Sequence, residues 1–236
     1  EIRLSLVGSE MCIRDSLGRD TKKLMLTSSR ASEGKSFSSL SLARKLAERG
    51  ERIALVDTDL RRSRMVSTYG VKFPQDSKKY GLSHYLAGIA EQDEVLYKTN
   101  VAGMDFVPVG RDLLNPLPLL SSNRFQALLD RLAEAYDYVI VDAAPVGVVI
   151  DAAEIAKYCD GILLVVNYNQ VHRQELIDAK AQLENSGCPI LGTILNQVDY
   201  DGFTNKKYYY KSHYYSYYKA YEKDADEKGA DEKKKG

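Results

Sequence analysis

From Thr21 onward the chain alternates two kinds of hydrophobic pattern. Short, nearly unbroken apolar runs, as in Lys23–Thr27 and Arg52–Val56, read as strands buried on both faces. Between them lie stretches in which apolar residues recur three and four positions apart, as do Leu40, Leu42, Ala43, Leu46 and Ala47 within Phe37–Arg49. Gly50 closes that stretch in the manner of a helix C-terminus. The same reading predicts further strands at Asp105–Val109, Tyr138–Val141, Ile162–Val166 and Ile190–Leu195. It predicts helices at Ser83–Ala87, Arg124–Ala135, Asp151–Lys157 and Arg173–Asn185. This alternation implies an α/β domain over residues 21–205, a mostly parallel sheet with helices on both faces. Ligands of such sheets gather beyond the carboxyl ends of the strands.

The two ends depart from the pattern. Residues 1–20 read EIRLSLVGSEMCIRDSLGRD, which resembles the peptide produced when sequencing-adapter read-through is translated, so this leader is expected to be non-native. The alternative is a genuine short strand, IRLSLV, ahead of the domain. After Gly202 the apolar periodicity stops, and residues 206–236 are expected to form a disordered tail that cannot bury a core. Composition sharpens this picture. Eight of the chain's 17 tyrosines fall in the tail, at Tyr208, Tyr209, Tyr210, Tyr214, Tyr215, Tyr217, Tyr218 and Tyr221. Nine lysines against six acids from Lys206 onward give it a net charge of +3, suited to approaching a phosphate chain.

Elsewhere composition mainly excludes. Lysine plus arginine (33) equals aspartate plus glutamate (33), which argues against a nucleic-acid-coating or basic membrane-surface protein. Cys12, Cys159 and Cys188 lack the paired spacing of a zinc or dithiol site and fit a reducing cytosol. His84, His172 and His213 are too scattered to form a ligand set. No apolar run approaches the roughly 20 residues needed to cross a bilayer, so a soluble, cytoplasmic protein is expected.

Candidate chemistry begins at Ser28–Ser36, which ends in Gly34-Lys35-Ser36 between a strand and a helix. This is the end of a P-loop, with Ser29 where the usual pattern has its first glycine. Successive loop N–H groups and the positive end of the following helix make an anion site, so Ser32, Glu33, Gly34, Lys35, Ser36 and Phe37 are expected to bind ATP. Lys35 would reach the β- and γ-phosphates and Ser36 would ligate Mg2+. Asp57 and Asp59 follow one apolar strand, two residues apart and hence on one side of an extended segment; Asp142 ends another. Carboxylates there can hold Mg2+ through its waters; solvated or helix-capping acids are the alternative.

Four segments carry a family resemblance: Ser28–Ser36, Ala54–Arg62, Gly81–Gly88 and Tyr136–Pro145. Together with Phe106–Gly110, Asn115-Pro116 and Arg124-Phe125, they resemble the bacterial tyrosine kinases of capsule and exopolysaccharide assembly. These are P-loop ATPases related to the partitioning and cell-division ATPases. The resemblance implies that Lys35, Asp57, Asp59 and Asp142 are catalytic. Asp57 would take the proton of the incoming tyrosine, and Asp59 and Asp142 would serve Mg2+. A phenol is a poor nucleophile at neutral pH, which gives such a base its purpose. Asn196 matches a position that contacts the nucleotide base, with a turn residue after a strand as the bland alternative.

The tail tyrosines match autophosphorylation sites, implying transfer in trans within a ring of subunits. A separate transmembrane activator, a polysaccharide co-polymerase, would recruit the kinase to the inner face of the plasma membrane. Such a chain regulates polysaccharide synthesis, chain length or export. The alternatives are a partitioning-type ATPase switch without kinase activity, and an ATP-binding adaptor of an export complex. Stacking of the tail on single-stranded nucleic acid is a further alternative, although no nucleic-acid partner is expected. Several positions depart from the pattern. Arg30 stands where the partitioning ATPases carry a signature lysine, Ser32 where the kinases often have glycine, and Ala143-Ala144 where threonine and proline are common. The arginine-bearing helix associated with ring assembly is not recognisable in residues 1–20. Arg61 and Arg62 are candidates for phosphate or subunit contacts, or simply an exposed helix start.

Overall fold

A computed structural model describes residues 22–73 and 78–198. The predicted leader and tail lie outside the described residues. The elements are β1 (Lys23–Ser28), α1 (Lys35–Glu48), β2 (Ile53–Asp57), α2 (Met65–Thr68), α3 (Leu82–Leu86), α4 (Gln92–Val95), β3 (Tyr97–Lys98) and β4 (Met104–Val107). They continue with α5 (Leu117–Leu120), α6 (Asn123–Ala135), β5 (Tyr138–Asp142), α7 (Asp151–Ala156), β6 (Gly161–Asn167), α8 (Arg173–Glu184) and β7 (Ile190–Asn196).

The strands form one sheet in the order β3-β4-β2-β5-β1-β6-β7. All neighbours are parallel except β3 and β4. Alternation along each strand divides its side chains between two cores. Leu24 and Leu26 of β1 face the layer that contains Leu42 and Ala43 of α1, whereas Met25 faces the layer built on Phe125, Leu128 and Leu132 of α6. In β5, Ile140 joins the first layer, and Val139 and Val141 join the second. Covered on both sides, the central strands need apolar residues at every position, hence the unbroken runs.

Topology positions the acids. β5 inserts between β2 and β1, so Asp142 is in register with Asp57 on one side and with Leu26, two residues before the end of β1, on the other. Three chemistry-bearing strand ends therefore meet at the carboxyl end of the sheet's central strands.

The predicted strand at Asp105–Val109 is shorter, Met104–Val107. Pro108 has no N–H for the ladder, and the carbonyls of Pro108 and Val109 instead accept from Leu82 and Ser83 at the start of α3. The short elements α2, α4, α5 and β3 escaped the sequence pattern because four or fewer residues cannot display a period. The helix predicted from Phe37 begins two residues earlier, at Lys35, straight out of the loop.

Leu128 is fully buried beneath the sheet. Leu128→Ala should therefore lower unfolding free energy by about 2–5 kcal/mol, read as a reduced denaturation midpoint at unchanged slope in urea.

Candidate active site

β1 delivers the chain into the loop at Ser29–Gly34. Gly34 adopts φ 84° directly before α1, and a Cβ there would lie 2.0 Å from Asn196 Nδ2. Both the left-handed backbone and the lack of space demand glycine. Ser32 is also left-handed, at φ 68°, which explains why glycine suits that position and makes serine a source of local strain.

The loop is braced from below by Glu33, whose residue is only 2% exposed. Its Oε2 accepts from Ser29 Oγ at 2.8 Å and from the Arg30 N–H at 2.6 Å, and its Oε1 accepts from the Asn167 N–H at 3.1 Å. The Glu33 side chain is thus a strut tying the loop to β6, leaving only its backbone for a bound anion. Asn196, at the end of β7, donates through Nδ2 to Glu33 O at 3.0 Å. It too holds the loop.

Above the loop the charged groups converge. Lys35 Nζ lies 3.4 Å from Asp59 Oδ2 and 3.5 Å from Asp142 Oδ2. Asp142, at the end of β5, accepts from Ser36 Oγ at 2.6 Å and from Ser39 Oγ at 2.9 Å. The 142 carbonyl accepts from the Thr58 N–H and hydroxyl at 2.9 and 2.8 Å, pinning the β2 extension to β5. Asp57 does not meet Lys35 directly. Its Oδ2 accepts from Ser63 Oγ and its Oδ1 from the Asp59 N–H at 3.3 Å.

Burial alone would push the Lys35 ammonium down, but the carboxylates of Asp142, Asp59 and Asp57 together outweigh it and raise its pKa. Burial, reinforced by the neighbouring Asp142, pushes Asp57 up to about 8. Asp142 is likewise raised by burial, against the opposing pull of Lys35 and the two serine hydroxyls.

The structure thus brings together Lys35, Ser36, Asp59 and Asp142, with Asp57 beside them. Phe37 stands half exposed in the first turn of α1. Ser39 escaped sequence reading, although it lies one helical turn past Lys35 and so faces the same way. Ser63 and Thr58 had no signal, because hydroxyl residues after a strand are common in turns. Arg61 is neither a free phosphate ligand nor part of a regular helix start. Its Nε and Nη2 grip Asp151 at 2.5 and 3.0 Å, and its Nη1 donates to Leu114 O at 2.9 Å. Arg30 points sideways, with Nη1 3.3 Å from Gln170 O and Nε 3.7 Å from Glu175.

Two substitutions test this geometry. Gly34→Ala should weaken Mg-ADP binding at least about tenfold in titration calorimetry, because a left-handed alanine and its clash with Asn196 distort the anion cradle. Asp57 keeps in the native state a proton that the unfolded chain loses, so its contribution to stability falls as pH rises from 3.8 to about 8. Asp57→Asn should remove that loss, raising the melting temperature of the nucleotide-free protein at the alkaline end of this window and not at its acid end.

Comparison with known proteins follows the same lines. A family model described as an AAA domain matches residues 21–183. The tyrosine-protein kinase CpsD of Streptococcus agalactiae serotype III is 40% identical over 182 residues, 77% of each chain. The tyrosine-protein kinase CpsD of Streptococcus pneumoniae is 36% identical over 190 residues, 80% of this chain and 82% of that one. Among solved structures, the kinase domain of the Escherichia coli tyrosine kinase ETK superimposes with a TM-score of 0.76 at 31% identity, covering 85% of this chain and 77% of that one. The chain belongs to the bacterial tyrosine-protein kinases of capsule loci, the CpsD and CapB family.

Proposed function

We propose that this capsule-locus kinase transfers the γ-phosphate of ATP to tyrosine hydroxyls and that its own C-terminal cluster is a principal acceptor. One observation carries the reading. An anion-binding loop, a buried ammonium and a group of carboxylates meet at the carboxyl end of the sheet's central strands. In this reading the loop N–H groups of residues 32–37 hold the phosphates and Lys35 neutralises the β- and γ-oxygens.

The donor set fits Mg2+. Ser36 gives its proton to Asp142 and accepts from Lys35 Nζ at 3.2 Å, which leaves its oxygen one lone pair for a cation, while Asp59 and Asp142 supply hard carboxylate oxygens. No cluster of three or more His, Cys, Asp or Glu side chains that could hold a metal alone is found among the described residues. Such incompleteness suits an ion that takes its remaining ligands from phosphate and water. Bound there, Mg2+ would supply charge neutralisation for the phosphate oxygens.

Asp57 is the proposed proton acceptor for the tyrosine hydroxyl. In the nucleotide-free protein burial favours its protonated form, so proton acceptance calls for the positive charge that a bound cation would add beside it. Asn196 retains Oδ1 for a nucleotide base, and the buried Asn167 Oδ1 has no hydrogen-bond partner among the described residues. An amino group of a bound nucleotide would satisfy such an atom.

Tail phosphorylation has an electrostatic consequence. Each phosphate adds about −1.5 to −2 charge, so about two events cancel or reverse the tail's +3. A bare tail is attracted to the triphosphate and a phosphorylated one is repelled, which gives a switch for assembly. Among the described residues no helix is long and apolar enough to cross a membrane. In this reading a separate transmembrane partner of the polysaccharide machinery recruits the kinase to the inner face of the plasma membrane, with transfer in trans within a ring of copies.

The decisive experiment incubates the full chain and Lys35→Met with Mg-ATP and the membrane partner, then maps phosphate by mass spectrometry. Wild type should modify several of Tyr208 to Tyr221, and Lys35→Met should lose at least about 99% of that signal. Equal phosphorylation of the two proteins would sink the assignment.

A further inference from the structure

Asp57 is buried at the end of β2, where its charge is attracted by Lys35 and repelled by Asp142. A carboxylate in such a field needs something to fix its rotamer. Among the described side chains, the one that hydrogen-bonds to it is Ser63.

The local chain makes Ser63 a directed donor. Its Oγ accepts from the Met65 N–H at 3.2 Å, so the hydroxyl proton is the group left to face Asp57 Oδ2. The support beneath is rigid. Met65 is 3% exposed and packs in the same core layer as Leu26, Leu55 and Ile140, which anchors the start of α2. Just past the other end of α2, the half-buried Tyr69 packs against the same core layer. The start of α2 is thus placed by packing, and Ser63, two residues ahead of it, is held where its hydroxyl meets Asp57.

We infer that Ser63 is a positioning residue for phosphate transfer: its hydroxyl holds Asp57 Oδ2 away from Lys35 and leaves Oδ1 to receive the proton of the acceptor tyrosine. The inference rests on the reading of Asp57 as that acceptor. In the step, the phenol proton passes to Asp57 Oδ1 and a phenol lone pair forms the new P–O bond to the γ-phosphorus. The P–O bond to the β-phosphate breaks, and its electron pair leaves on ADP. Without Ser63 the carboxylate is free to swing toward the ammonium, where it forms an ion pair and presents no oxygen to the phenol.

The test uses the full chain with Mg-ATP, the membrane partner and a synthetic peptide of residues 206–221. One version carries tyrosine and the other tetrafluorotyrosine, whose phenol is ionised at neutral pH and needs no base. Ser63→Ala should lower kcat on the ordinary peptide by about 10- to 100-fold, with KM for ATP and melting temperature unchanged. On the fluorinated peptide the deficit should shrink to about threefold or less. Ser63→Thr should restore transfer, and the equally shaped Ser63→Val should not, a comparison that stands even if the alanine protein folds poorly.

Equal losses on both peptides, or equal rates for the threonine and valine proteins, would overturn the role of Ser63 while leaving the kinase reading intact. A wild type that phosphorylates neither peptide would instead remove the reading on which it rests.

Discussion

Everything at the functional edge depends on one electrostatic constraint: Asp59 and Asp142, with Asp57 close behind, share a single ammonium, that of Lys35, in a space largely closed to water. At low effective dielectric, like charges at these distances repel strongly, and burial adds its own penalty to each ionised carboxyl. The raised pKa values of Asp57 and Asp142 express that imbalance. As a set of protein charges the arrangement carries an excess of negative charge, which the divalent cation proposed for the site would offset.

Such a cluster works only if its members cannot relax apart, and the surrounding structure prevents that in three ways. Parallel pairing fixes the strand ends, with Asp57 and Asp142 in register on adjacent strands. Hydroxyls of Ser36, Ser39 and Ser63 fix the carboxylate rotamers. The buried Glu33 strut and the Asn196 amide fix the loop that carries Lys35. The Arg61–Asp151 pair adds a fourth tie, joining the turn after β2 to the first turn of α7. Its Asp151 is almost wholly buried, so the pair is an uncompensated charge if either partner is lost.

Family membership gains physical content from this geometry. A P-loop followed by a serine and faced by strand-end carboxylates serves many nucleotide enzymes, and the fold alone does not select among their reactions. Sequence identity with the CpsD kinases and structural likeness to the ETK kinase domain narrow the reaction to tyrosine phosphorylation. In the proposed reading Asp57, bonded by Ser63 at the end of β2, is the group that would accept the proton of a phenol.

Periodicity in the sequence determined the main strands and the long helices, because burial on both faces leaves apolar runs and one-sided burial leaves a helical stripe. Spacing and residue type likewise marked Lys35, Ser36, Asp57, Asp59 and Asp142, since a P-loop and strand-end acids are local features. What the sequence did not carry was orientation. Glu33 reads as one more loop residue, and only the fold turns its carboxylate inward; Arg61 reads equally as a phosphate contact, a subunit contact or an exposed helix start, and only the approach of Asp151, 90 residues away, occupies it. Ser39 and Ser63 are ordinary serines until β5 and α2 set them against Asp142 and Asp57. These are contacts between segments distant in the chain or across turns too short to show a period. Side-chain direction at a site follows from tertiary packing, whereas the chemical type of a site residue is already written in its local motif.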